Sequence, residues 1–238
     1  MPSIINHPSE SKKLTGDSPI TWIKNDQLLD YPQTLQAMER LAIDIRTKNA
    51  QEQIWLVEHP ALITAGTSAK PDDLHPSLHL PLYHTGRGGK YTYHGPGQRV
   101  VYVMIDLKKR IHDVRQYILF LEAWIIQTLS SFGLKGHQRP ERVGVWIERP
   151  DKGLGYEDKI AAIGVRIKQH VTFHGFAINH SCDLNAFQQF IPCGINNQKY
   201  GVTSFQDLGI AIPMQQLDDA LKDGFEKLSK KWLLFGDR

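Results

Sequence analysis

The chain has 238 residues, 41% hydrophobic and 22% charged, with a formal net charge of +3 when its histidines are neutral. A chain of that length buries about 70–75% of its unfolded surface, so it needs neither a disulfide nor a metal to hold a core, and its ordinary composition excludes fibrous and disordered classes. The weak charge argues against a general nucleic-acid binder, and two cysteines, Cys182 and Cys193, do not make a disulfide framework.

In chain order, residues 1–18 are polar and rich in Ser, Pro and Lys, and read as a mobile tail ahead of a single catalytic domain over 19–238. They contain no apolar stretch of the kind a signal peptide carries. Nowhere does the chain approach 18 consecutive apolar residues, so no membrane span is expected. A reducing cytoplasm is the expected compartment.

Residues 33–48 predict a helix with Leu35, Met38, Leu41, Ala42 and Ile45 on one face. Ile54 to Val57 reads as a buried strand. The Gly, Pro and His density over 58–98 predicts one long loop region, and such loops in compact domains are functional or disordered. Arg99 to Leu107 is a further buried strand. Asp113 can cap a helix running to about Phe132, with Val114, Ile118, Leu121, Ile125 and Leu129 in register. Lys108, Lys109, Arg110 and Arg115 form a basic cluster before it, either a solvated helix start or a docking patch for an acidic partner. Gly144 to Glu148 is a strand. Lys159 to Lys168 and Val171 to Asn179 read as a hairpin turning near Gln169, and a last helix follows Pro213. Hairpin-paired strands among helices argue for a mixed α/β or α+β sheet flanked by helices, not a doubly wound parallel one.

The densest chemical signal is Arg87 to Gln98, RGGKYTYHGPGQ, in which glycines surround Thr92 and His94. It is either a turn-rich connector or a loop whose glycines let backbone approach a ligand. It matches neither phosphate-loop pattern. Cys193 lies between Pro192 and Gly194. A free thiol is usually inert and buried; as a nucleophile it needs a neighbour that lowers its pKa from about 8.5. Lys159, which opens an otherwise apolar strand, is the candidate neighbour; the alternative is a strand-end lysine reaching water. His174 in mid-strand reads as a satisfied core histidine and Cys182 as a bystander. The spacings of His174, His180, Cys182 and Cys193 match no zinc pattern.

RGGKYTYHGPGQ followed by RVVYVMIDL, then KIAAIGVRI, TFHGFAIN and IPCGI, resemble the lipoyl(octanoyl) transferase family in type and order, over about residues 30–232. The family's proline-to-glycine element is present as HPALITAG, but Thr67 follows where many members carry arginine, so that position stays outside the expected site. The resemblance implies a fold like the catalytic core of lipoate and biotin protein ligases. It implies a Cys193–Lys159 pair as the catalytic residues. It implies acyl-binding stretches at Arg87, Gly88, Gly89, Lys90, Tyr91, Thr92, Tyr93 and His94, at Ala162, Ile163 and Gly164, and at Gly175, Phe176 and Ala177. The implied activity moves octanoyl from octanoyl-acyl carrier protein to a lysine of lipoyl domains, those of 2-oxoacid dehydrogenase E2 subunits and of the glycine cleavage H protein. It uses no metal, no ATP, no nucleic acid and no membrane. An ATP-dependent lipoate-protein ligase-like enzyme and an octanoyl amidotransferase acting between lipoyl domains are the alternatives on the same fold.

Overall fold

The computed structural model describes residues 20–76, 78–110, 113–190 and 199–232. The expected tail, residues 1–18, and Cys193 lie outside the described residues.

Among the described residues two sheets and three α-helices make the fold. Asp30 caps the first helix, α1 (Tyr31–Arg46), by accepting the Gln33 amide, and Pro32 sits in its first turn. The helix therefore starts two residues before the expected position, since proline is favoured where the amide has no helical partner. Met38, Leu41, Ala42 and Ile45 are its buried stripe and Leu35 is half-buried. Asp113 caps α2 (Val114–Ser130) through the Arg115 and Gln116 amides, as the sequence predicts. Its buried face is broader than expected and rotated toward Tyr117, Phe120 and Trp124; Val114 is exposed. The last helix, α3 (Met214–Trp232), buries Leu217, Ala220, Leu221 and Phe225 against α2.

The large sheet contains β1 (Thr21–Leu28), β2 (Gln53–Glu58), β6 (Gln98–Met104), β7 (Gly136–His137), β8 (Val145–Glu148), β9 (Glu157–Lys168), β10 (Val171–Asn179) and β11 (Tyr200–Val202). Its order is β1-β2-β6-β10-β9-β8-β7, with β11 paired to the start of β9. The β1–β2 and β9–β11 pairs are parallel and the others antiparallel, which makes the sheet mixed as expected. The β9–β10 hairpin turns at Gln169 and His170, both with positive φ (54° and 71°), the conformation a two-residue turn matched to strand twist requires. One face of the sheet packs α2 and α3 through Val101, Val103, Ile160, Phe176 and Ile178. The other packs α1 through Trp55, Val100, Tyr102, Phe173 and Ala177.

Residues 58–98 are not one loop. They contain β3 (Leu62–Ala65), β4 (Leu82–His84) and β5 (Tyr91–His94), which form a second sheet in the order β4-β3-β5. The strands are three or four residues long and their pairing partners lie about 20–30 residues away, as in Thr64↔Thr92 and Ala65↔His84. Local periodicity has too few residues to register such strands.

A buried ion pair ties α3 to the sheet. Arg99 and Asp218 are both essentially inaccessible, with Nε–Oδ1 at 2.8 Å and Nη2–Oδ2 at 3.1 Å. Removing one partner strands a buried charge, so Asp218→Ala is expected to cost about 3–5 kcal/mol in urea unfolding. Replacing both Arg99 and Asp218 with leucine should recover most of that loss. A single-mutant loss no larger than the ~1 kcal/mol of a surface pair would contradict the assignment.

Candidate active site

Between the two sheets lies a cavity of about 250 Å³, at the small end of the ~300–1,000 Å³ range of small-molecule clefts. Its floor on the large sheet is built from small residues paired across strands. Ala162 faces Ala177 and Gly164 faces Gly175 between β9 and β10; Val100 and Tyr102 continue the same rows on β6. The opposite wall is Arg87, Gly89, Lys90, Tyr91, Thr92 and His94.

Strand alternation alone would not put Lys159 and Ala162 on one face, because they are three residues apart. A bulge does. Val145 pairs with Ala161 and the next residue, Trp146, pairs with Lys159, so Ile160 is the extra residue. Ile160 and Ala161 both point into the α2–α3 core, which leaves Lys159 on the cavity side with Ala162 and Gly164. Gly164 is five positions along the strand from Lys159, so the floor runs about 15 Å.

Lys159 is 9% exposed. Its Nζ donates to the Val143 carbonyl at 2.9 Å and lies 4.7 Å from the centroid of the Trp146 ring. The following residue, Gly144, has φ +120°; a Cβ there would meet the Ala161 carbonyl oxygen at 2.6 Å and Lys159 Cε at 3.2 Å. The neighbouring Asp158 is committed to Arg149 at 2.8 Å and Lys152 at 2.5 Å.

The far end of the floor is polar. Arg87 is 6% exposed, and its hydrogen bonds go to neutral acceptors: Thr64 Oγ1, Thr64 O and Gly88 O, at 2.7–3.1 Å. Burial brings its guanidinium down to about 10. A Cβ on Gly164 would press on Arg87 Cδ at 3.0 Å, so this glycine makes room for the arginine. Gly175 is required by its own sheet, since a Cβ there would stand 2.1 Å from the Val101 carbonyl oxygen.

Three histidines around the cavity are buried and neutral. Burial lowers His59 to about 4, His94 to about 3 and His174 to about 3. Hydrogen bonding fixes two tautomers. His59 Nδ1 donates to the Leu29 carbonyl at 2.6 Å, so its Nε2 accepts from the Tyr102 hydroxyl at 2.7 Å. The Gln98 amide donates to Asn179 Oδ1 and Tyr93 O, so its oxygen faces His94, whose Nδ1 donates to it at 2.8 Å. His94 therefore carries a bare Nε2 on the side chain that lines the cavity. His174 departs from the satisfied core histidine expected of it. Its φ is +61°, and its buried Nε2 has no hydrogen-bond partner among the described residues.

Of the residues the sequence nominates, Arg87, Gly89, Lys90, Tyr91, Thr92, His94, Lys159, Ala162, Ile163, Gly164, Gly175, Phe176 and Ala177 line this one cavity. Gly88 and Tyr93 do not. Gly88 joins the loop to β9 through the Val165 carbonyl at 2.9 Å, and Tyr93 packs edge-on against Phe187 in a separate small core. Cys193 lies outside the described residues. Cys182 is buried in that small core and burial pushes its thiol up to about 12, which suits an inert residue. Thr67 is exposed. In the basic cluster, Arg110 is engaged with Glu52, while Lys108, Lys109 and Arg115 carry no role in the cavity.

The sequence reading missed Tyr31, Tyr102, Arg142, Phe187 and Phe190, which also line the cavity. Tyr102 sits in an unbroken apolar strand and Tyr31 in a helix first turn, where no local pattern separates a cavity residue from a core one.

The lipoyl protein ligase A/B catalytic domain model matches residues 30–226. The chain belongs to that family. Within it, the chain resembles curated transferases: it is 52% identical over 210 residues to an octanoyltransferase of Nitrobacter winogradskyi, covering 88% of this chain and 90% of that one. It is 48% identical over 229 residues to an octanoyltransferase of Bartonella bacilliformis, covering 94% of each. Likeness to solved family structures is one of fold. A lipoate-protein ligase A bound with ATP superposes with TM-score 0.64 at 14% identity, covering 87% of this chain and 83% of that one. A bipartite lipoate protein ligase from Thermoplasma acidophilum gives 0.63 at 14% identity, covering 87% and 82%. The lipoyl protein ligase A/B fold thus holds the mixed sheet expected from sequence, and the identity to relatives marks this member as a transferase. Among the described residues no helix is long and apolar enough to cross a membrane.

Proposed function

We propose that this chain transfers octanoyl from octanoyl-acyl carrier protein to a lysine of lipoyl domains, in E2 subunits and the H protein, through a thioester on Cys193. The observation that carries the reading is the seat of Lys159 at one end of a slim cavity floored by alanines and glycines. Two residues that bracket the Cys193 segment line the same cavity: Phe190, three positions before Cys193, and Val202, which pairs with Lys159 itself. Three residues of chain reach at most about 10 Å.

The chemistry closes on itself. The Cys193 thiolate, favoured by the Lys159 ammonium, attacks the carrier thioester carbonyl. A carbon–sulfur bond forms, the carrier sulfur leaves, and Lys159 gives it a proton. The acceptor lysine amine then attacks the acyl-enzyme. A carbon–nitrogen bond forms, the amine proton passes to Lys159, and Cys193 leaves as thiolate. A thioester becoming an amide runs downhill, so neither ATP nor a metal is needed. The cytoplasm, which keeps thiols reduced, is the setting this chemistry favours.

The protein mixed with octanoyl-carrier protein and an E2 lipoyl domain, without nucleotide, should octanoylate the domain's lysine. Octanoylation that requires free octanoate and ATP would instead make it a ligase. Filling the floor offers a second check. Ala162→Leu should lower use of octanoyl donors at least tenfold relative to butanoyl donors, read as the ratio of kcat/KM, and an unchanged ratio would move the acyl chain elsewhere.

A further inference from the structure

Glu122 is a buried carboxylate on α2, 4% exposed, on a helix that otherwise turns Leu121, Trp124, Ile125 and Leu129 into the core. Its Oε1 accepts the Gly144 amide at 3.0 Å. The carbonyl of that same peptide, on Val143, accepts Lys159 Nζ at 2.9 Å. One turn thus carries two clasps, with Glu122 on one side and the lysine on the other, and Gly144 is the residue whose conformation allows it.

We infer that Glu122 is a positioning residue for Lys159: by accepting the Gly144 amide it fixes the Val143–Gly144 peptide whose carbonyl seats the amine. The inference rests on the proposed role of Lys159 only in saying what the seat is for, namely holding the amine where the acyl group is transferred.

A carboxylate in an apolar core is costly without a partner. Among the described residues α2 packs against α3, β7, β8 and β9, and through apolar side chains against β6 and β10. Asp218 on α3 is held by Arg99 and Lys24. His137 on β7 and Glu148 on β8 lie 3.9 Å from each other, and Glu148 also meets Arg139. Lys159 on β9 is the group whose charge acts on Glu122. The lysine is faced in turn by Glu122, by the Trp146 ring, and by Arg142, which is bound to Glu157 and lies over the same ring at 4.4 Å. Burial leaves the Glu122 carboxyl above its ordinary value, although the Gly144 amide and Lys159 pull against that rise.

Two variants test the clasp. Glu122→Gln keeps an oxygen for the Gly144 amide. Glu122→Leu keeps a side chain of similar volume and removes the acceptor. The readouts are competitive acetylation of the full chain by acetic anhydride, with labelling of Lys159 measured by mass spectrometry against exposed lysines, and hydrogen exchange at the Gly144 amide. Glu122→Leu should accelerate Gly144 exchange tenfold or more and change Lys159 labelling threefold or more, with exchange in the rest of α2 unchanged. Glu122→Gln should leave both readouts within twofold of wild type. Lys159 labelling that stays unchanged in Glu122→Leu, or that changes equally in Glu122→Gln, overturns the inference. Neither readout depends on octanoyl transfer, so a failure here is distinct from a failure of the proposed function.

Discussion

Replacing Lys159 with methionine is expected to slow acyl-enzyme formation by roughly 10²–10⁴-fold, the range for loss of a positioned proton-transfer group. Methionine keeps most of the side chain's length and its packing on Trp146 and removes the charge. The seat of the amine lies against the Val143 carbonyl and the Trp146 ring. The loss should be steepest below pH 7, where the thiolate fraction limits the wild type least and the variant most. Rapid-quench single turnover with octanoyl-carrier protein measures it. A rate within threefold of wild type at every pH would remove Lys159 from the mechanism.

The second large effect is on stability. The three buried histidines at the cavity have folded pKa values near 3 to 4, below the unfolded value of about 6.5. A base whose folded pKa is depressed keeps the fold stable above its unfolded value and withdraws stability as pH falls, because only the unfolded chain takes up the proton. Each costs about 1.4 kcal/mol per pH unit below 6.5, so together they remove about 6 kcal/mol by pH 5. That is comparable with the whole stability of many domains, about 5–15 kcal/mol. Urea midpoints should fall steadily from pH 6.5 to 5, and His59→Gln should flatten the slope by about a third. A midpoint independent of pH over that interval would mean that these histidines are not buried as neutral rings.

How much of this was legible in the sequence depends on how local its cause is. The Asp113 cap, the α3 stripe, part of the α2 stripe and the β9–β10 hairpin were readable because each is decided within about twenty residues of chain. The start of α1 could have been read correctly, since Asp30 and Pro32 are a cap and a first-turn proline in sequence. The second sheet could not, because its strands are short and pair at long range. At the site, the glycine loop and Lys159 stood out by residue type. What places Lys159 on the cavity face is a bulge at Ile160, which leaves no mark in an apolar run. Glu122 interrupts the apolar run from Ile118 to Ile126, and that interruption alone does not show which backbone group the carboxylate meets. Gly164 and Gly175 fall in the expected acyl-binding stretches, and what a Cβ would meet there, Arg87 and the β6 backbone, is set by long-range packing that the local sequence does not show.

The account stands most directly on whether Cys193 carries the acyl group. Intact mass after mixing the protein with octanoyl-carrier protein, with no acceptor present, should show one octanoyl increment that maps to Cys193 and is absent in Cys193→Ser. No increment, or one that persists in Cys193→Ser, would contradict it.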